Sequence, residues 1–413
     1  MFENKLPVFK NFIYLALTKG VDFIIPMLLL PYLVSKLGII TFGSLSFALA
    51  IGIYFSSLMQ YGYNISAVRS IARSRDDYLL LSKSFSALLV SSILICLFFS
   101  ICYLFLFLFD FIRQEFSLYA SVLAFVFMQS IFPAWFFQGL EKMHFITITS
   151  GVSKLIYLLC VITFVNSPED VFLVPLFLGG SWALAGFGAA YLIYKNKMAI
   201  LSKPSVQEVI LTYKQGWYAF VTQLSPLLYT NSMTFILGVF YGPAVVGIYS
   251  AAIRIVEIVN GFAFLLVNAG LPHLSRNINI HRWFHKVVIA AGVVSGALVY
   301  FGSSWFAPIM FKEDFEQILP LIKLAAPMIP IVYLRMAFGP AFLMLVGEEK
   351  AYQNIVLGSA LAGFVAAWAL IPRWEIHAAI FVLLGTSATM SLLTFVTAKR
   401  GATQKVFELG GRR

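Results

Sequence analysis

Apolar runs long enough to cross a bilayer recur twelve times in this chain. They fall at 11–34, 41–62, 84–109, 117–139, 145–165, 171–194, 215–241, 247–271, 287–311, 318–346, 353–371 and 378–398. Roughly 20 apolar residues cover the ~30 Å hydrocarbon core as a helix. Lipid supplies no partner for backbone N–H and C=O groups, so each run must satisfy its own. The expectation is an all-α polytopic membrane protein with twelve transmembrane helices. Only 11% of the residues are charged, against roughly 25% in a soluble domain. The first run is too long for a signal peptide and is interrupted by Lys19, so it is expected to remain as a span. Cys96, Cys102 and Cys160 all lie inside apolar runs. Neither a disulfide framework nor a metal site is expected.

Basic residues orient the spans. With the N-terminus inside, twenty Lys and Arg fall at cytoplasmic ends and loops, against Lys36, Arg113, Lys312 and Arg373 outside. Both termini are therefore expected in the cytoplasm. The net charge of +11 follows from this topology and gives no case for nucleic-acid binding.

The chain repeats itself. Leu37-Gly38-Ile39-Ile40-Thr41-Phe42-Gly43-Ser44-Leu45-Ser46-Phe47-Ala48 aligns without gaps on Tyr241-Gly242-Pro243-Ala244-Val245-Val246-Gly247-Ile248-Tyr249-Ser250-Ala251-Ala252. Both glycines, a serine and the last alanine match. A second echo sets Gly139-Leu140-Glu141-Lys142 against Gly347-Glu348-Glu349-Lys350. The reading is two parallel six-helix repeats related by an axis along the membrane normal. The first bundle would be 1–194, the cytoplasmic linker 195–214, and the second bundle with its basic tail 215–413.

Seven ionisable groups lie within spans: Lys19, Asp22, Lys154, Arg254, Glu257, Lys323 and Arg335. Charges at that depth are costly and mark wet pathways or bundle interiors. Lys323 sits near a span end and can snorkel. The others leave a surplus of positive charge, which suits a substrate bearing phosphate. Lys19, Lys154, Arg254 and Arg335 are expected to form a cationic cavity. Asp22 and Glu257 each follow a cation by three residues and are candidate coupling acids for a proton or sodium ion. Polar stripes at three- and four-residue steps add cavity-lining candidates: Asn64 on the second run, and Tyr218, Thr222 and Tyr229 on the seventh. Arg69, in a cytoplasmic cluster with Arg73 and Arg75, is placed to gather anionic head groups.

Several stretches resemble the Wzx/RfbX O-antigen flippases, in the wider superfamily that includes the MATE exporters and the MurJ lipid II flippases. They are Lys19-Gly20-Val21-Asp22 with Pro31-Tyr32-Leu33, Tyr61-Gly62-Tyr63-Asn64-Ile65-Ser66-Ala67-Val68-Arg69, Trp135-Phe136-Phe137-Gln138-Gly139-Leu140-Glu141-Lys142-Met143, and the two turn motifs already aligned. The resemblance implies a flippase for oligosaccharide carried on polyprenyl pyrophosphate, in the bacterial inner membrane. Partners would be that substrate, membrane lipid and polysaccharide polymerase or chain-length proteins, around a monomeric transporter. No cofactor is expected, and no P-loop for ATP is present. A MATE-like small-molecule exporter is the nearer rival. A polymerase or ligase is the further one, since the expected outer loops are short and lack a catalytic constellation.

Overall fold

The computed structural model describes residues 6–224, 227–274 and 281–410, with the side chains of 6–19, 22, 222, 272–273, 282 and 401–410 outside the description. Every regular element among the described residues is helical. Eight runs are long and apolar enough to cross a membrane, and Leu227–Tyr241 is a shorter apolar helix. Three of the eight are far longer than one crossing needs: Phe23–Ser74, Trp283–Leu343 and Glu349–Arg400. Each is broken where the backbone takes positive φ: Gly38 at 72° and again Tyr61–Gly62 at 46° and 68° in the first, Lys312 at 48° in the second and Glu375 at 51° in the third.

The chain divides into two compact units, Met1–Ile25 with Lys36–Leu224, and Pro26–Ser35 with Ser225–Arg413. The first contains most of α1 (Leu6–Gln60), then α2 (Tyr63–Ser74), α3 (Tyr78–Leu104), α4 (Asp110–Gln114) and α5 (Phe116–Ile131). It continues through α6 (Ala134–Gly139), α7 (Met143–Phe164), α8 (Leu173–Lys195) and α9 (Val206–Leu224). An aromatic core of Phe85, Trp135, Phe136 and Phe137 closes it, with Phe85 and Phe136 rings 4.6 Å apart. Trp135 is 3% exposed, packed within this core. Arg75 ties α2 to the turn after α6 through Glu141 at 2.8 Å.

Polar composition between 195 and 214 suggests a tether, yet the structure uses these residues differently. The hydroxyls of Ser82 and Ser86 on α3 accept from the Ile200 and Ser202 N–H groups at 3.0 and 2.9 Å, pinning the loop. Ser205 and Glu208 then cap α9 reciprocally. The Glu208 carboxylate accepts from the Ser205 N–H at 2.7 Å, and the Ser205 hydroxyl accepts from the Glu208 N–H at 3.2 Å. From there α9 runs unbroken to Leu224 and packs on α2 and α3. The end of the first unit thus falls at Leu224, beyond the expected linker. At Gly62 (φ 68°), a Cβ would come within 2.5 Å of the Ala219 carbonyl carbon. Only glycine admits α9 there.

The second unit comprises α10 (Leu227–Tyr241), α11 (Pro243–Leu274), α12 (His281–Phe311), α13 (Phe315–Ala325), α14 (Met328–Phe338) and α15 (Glu349–Gly410). The prolines of the tenth run predict a broken helix. The chain does break between α13 and α14 at Pro327, and a π-helical turn follows over Gly339–Leu343. Tyrosine hydroxyls satisfy backbone carbonyls across helices: Tyr241 donates to Ile371 and Tyr333 to Val259, both at 3.1 Å.

The internal repeat is visible in the backbone. Aligned Gly38 and Gly242 have φ of 72° and 79°. Aligned pairs Phe42/Val246, Leu45/Tyr249 and Ala48/Ala252 are all buried. The second echo is looser, since its left-handed residues are Glu141 in one copy and Gly347 in the other.

The Ser205–Glu208 cap has a consequence in pH. The two Ser205 donors hold the Glu208 carboxyl below the usual carboxylate range. A depressed folded value means the cap is intact above the ordinary carboxylate range and is lost as pH falls through the lower folded value. Protection at the first turn of α9, the slowing of exchange relative to the intrinsic rate at the same pH, should therefore fall on acidification in wild type. In Ser205→Ala protection should be low throughout. Equal exchange in both proteins at neutral pH would show that the cap does not hold the helix start.

Candidate functional site

Arg335 is the most confined cation the structure describes. Its Nη1 donates to the Tyr229 hydroxyl at 3.0 Å and points at the Met390 sulfur at 3.0 Å. Tyr229 is 5% exposed and Met390 fully buried. The Arg335 Nε is buried with no hydrogen-bond acceptor. No carboxylate among the described residues pairs with the guanidinium. Local sequence explains the position. Pro340 has no N–H to continue the helix, and the backbone shifts into the π-helical turn Gly339–Leu343, about one turn after Arg335. The Tyr352 ring lies against Gly339 in that turn, where a Cβ would come within 2.8 Å of its Cζ. Helices α10 and α15 thus place a phenol and a thioether against a cation on α14.

The remaining cations are held differently. Arg254 and Glu257 close an ion pair on α11 at 3.1 Å, both about half-exposed. The three-residue spacing of cation and acid is thereby realised. In the first unit, Lys154 on α7 sets its ammonium 5.2 Å from the Trp182 ring centroid on α8. Trp182 in turn packs on Phe132 with centroids 5.4 Å apart. Arg69 is exposed on α2. Lys19, Asp22 and Thr222 lie on helices, but their side chains are outside the described residues. Tyr218 is 85% exposed on the first unit, whereas Tyr229 is 5% exposed and belongs to the second.

A polar network was missed in the sequence. Asn64 donates to Gln60 Oε1 at 2.9 Å, and Gln60 Nε2 donates to Ser56 at 2.8 Å. Ser56 donates to Gln129 Oε1 on α5, also at 2.8 Å. Gln223 Nε2 reaches Gln60 Oε1 from α9 at 3.4 Å. The signal was present as Ser56, Gln60 and Asn64 at four-residue steps, one register away from the stripe of Tyr54, Ser57, Tyr61 and Asn64. Tyr352 and Met390 gave no signal, because only the fold brings them to Arg335.

Helices of this length and apolar composition define a multi-pass membrane protein, and its fold is that of known transporters. The lipid II flippase MurJ in an inward closed conformation superposes with a TM-score of 0.72 at 13% identity, covering 97% of this chain and 88% of that one. An inward-facing multidrug resistance MATE family transporter of the MOP superfamily gives 0.71 at 12% identity, covering 94% and 99%. The chain belongs to the polysaccharide biosynthesis protein family, whose model matches residues 8–278. It is 25% identical over 411 residues to a protein of Escherichia coli (strain K12) named "Putative O-antigen transporter", covering 96% of this chain and 98% of that one. The resemblance drawn from the sequence motifs is thereby borne out.

The Arg335 cluster yields a stability test. Replacing a desolvated charge with an apolar group of similar length is often neutral or stabilising. Arg335→Met is expected to unfold thermally at or above the wild-type midpoint. Tyr229→Phe leaves an Arg335 donor without its oxygen and should cost about 1–3 kcal/mol. A lower midpoint for Arg335→Met than for Tyr229→Phe would make Arg335 a structural element rather than a retained charge.

Proposed function

We propose that this protein flips an oligosaccharide carried on polyprenyl pyrophosphate from the inner to the outer leaflet of the bacterial inner membrane. The observation that carries this reading is Arg335, a cation left without a carboxylate inside an apolar helix, in a chain similar along its length to an O-antigen transporter. Pyrophosphate oxygens suit a guanidinium whose present oxygen partner is a neutral phenol. Lys154 contributes a second cation balanced by an aromatic face, and Arg254 a third whose acid can be released. A MATE-like exporter of organic cations would call for surplus carboxylate, the opposite sign.

Translocation would alternate between two six-helix halves. Divided at Gly38, Lys312 and Glu375, the eight long apolar runs become eleven, and Leu227–Tyr241 supplies a twelfth. This supports twelve spans with both termini inside. Reporter fusions after Lys203 and after Arg413 should read cytoplasmic, and one near Glu169 periplasmic. A periplasmic C-terminus would overturn the topology.

The reading is tested in a strain lacking its own flippase. Wild type should restore surface polysaccharide. Arg335→Met, Lys154→Ala and Arg254→Ala should each lower it at least tenfold at equal protein level, with Lys154→Arg retaining part because its charge survives. Full complementation by all three removes them from the site. Asp22 and Glu257 are proposed to couple flipping to a proton gradient. In reconstituted vesicles, Asp22→Asn and Glu257→Gln should flip substrate without responding to an imposed gradient. A response equal to wild type would leave both as counter-ions.

A further inference from the structure

We propose that the Asn64–Gln60–Ser56–Gln129 relay of the first unit recognises a hydroxyl group of the substrate's sugar, making Asn64 and Gln60 specificity-determining residues. This rests on the flippase reading and assigns the glycan its own contact, distinct from the pyrophosphate cations. The relay runs in one direction. Every donor in it points inward: Asn64 and Gln223 to Gln60, Gln60 to Ser56, Ser56 to Gln129. Such a chain polarises cooperatively, and its outer end becomes a better acceptor as each inner bond forms. At that outer end, Asn64 is exposed and spends one amide hydrogen on Gln60, while its carbonyl accepts no hydrogen bond from the described residues. A hydroxyl donating to the Asn64 carbonyl would extend the relay in its existing direction.

The surroundings suit a sugar. Tyr61 stacks on Phe220 at 4.9 Å between centroids, and Phe220 lies 5.7 Å from the Trp217 ring, which is largely exposed beside Tyr218. Apolar ring faces beside amide groups match the mixed C–H and O–H surface of a pyranose. Helix–helix adhesion explains polar residues in membranes generally, but a purely adhesive network would be closed. This one opens at Asn64 and leaves the Gln223 carbonyl buried without a partner. It is also absent from the second repeat. Carrying the repeat alignment onward without gaps from Ala48/Ala252 sets Phe264 opposite Gln60, so no relay forms there.

The test uses protein in lipid nanodiscs and two probes. One is undecaprenyl pyrophosphate. The other is the lipid-linked oligosaccharide accumulated by a flippase-deficient strain of the same bacterium. Wild type should bind the glycosylated probe at least tenfold more tightly. Asn64→Ala and Gln60→Leu should each erase most of that preference while binding undecaprenyl pyrophosphate as wild type does. Gln60→Leu is accompanied by its thermal midpoint, and exposed Asn64→Ala serves where the former unfolds. Preference retained in Asn64→Ala, or equal loss for both probes in it, overturns the assignment while leaving the flippase reading intact. Wild type binding neither probe overturns both.

Discussion

Hydrocarbon offers no water, and that single deprivation governs this molecule. Backbone groups must be paired within their own helices, which is why every described element is helical and why breaks concentrate at a few residues such as Gly38, Pro327 and Glu375. Side chains obey the same rule. Buried tyrosine hydroxyls reach across to carbonyls, as Tyr103 does to Tyr119 and Tyr333 to Val259. Among the described residues eleven buried side-chain polar atoms lack a partner, the Tyr249 hydroxyl, the Nε of Arg335 and the Gln223 carbonyl with them. The last two lie at the edge of polar clusters, where a ligand could supply what the protein does not.

Much of the architecture was legible because its determinants are local. Span length, turn glycines and the repeat all depend on neighbouring residues, and Gly38 and Gly242 adopt the left-handed turn their alignment implies. What escaped depends on distant residues. The polar stretch before Gln215 looked like a tether because nothing local shows that Ser82 and Ser86 hold its backbone. Tyr218 and Tyr229 fit one stripe by spacing, yet the first is 85% exposed in one unit and the second 5% exposed in the other, a difference set by distant neighbours. Trp135 sits in a motif rich in interfacial residue types, yet its burial depends on Phe85 from another helix. Four prolines hid the facing of Arg335, since each break resets the helical register.

The site candidates separate by what neutralises them. Lys154 faces a ring quadrupole, Arg335 a phenol and a sulfur, and Arg254 a carboxylate. The Arg254–Glu257 contact joins charge to charge. An anion approaching Arg335 displaces a neutral hydroxyl and leaves no new charge behind. An anion approaching Arg254 must displace Glu257, which then needs another counter-charge.

That asymmetry assigns different work to the two arginines. Arg335 can bind without consequence for its neighbours, because Tyr229 remains neutral and keeps other hydrogen-bonding options. Arg254 cannot. On the coupling proposed above, anion capture at Arg254 would leave Glu257 without its partner, and by linkage whatever Glu257 then took up would strengthen that capture. A transporter drawing on a gradient needs such a pair, whereas one that only needs affinity is served by a cation such as Arg335. With both kinds of cation on helices of the same unit, holding the substrate and coupling its movement would fall to different residues.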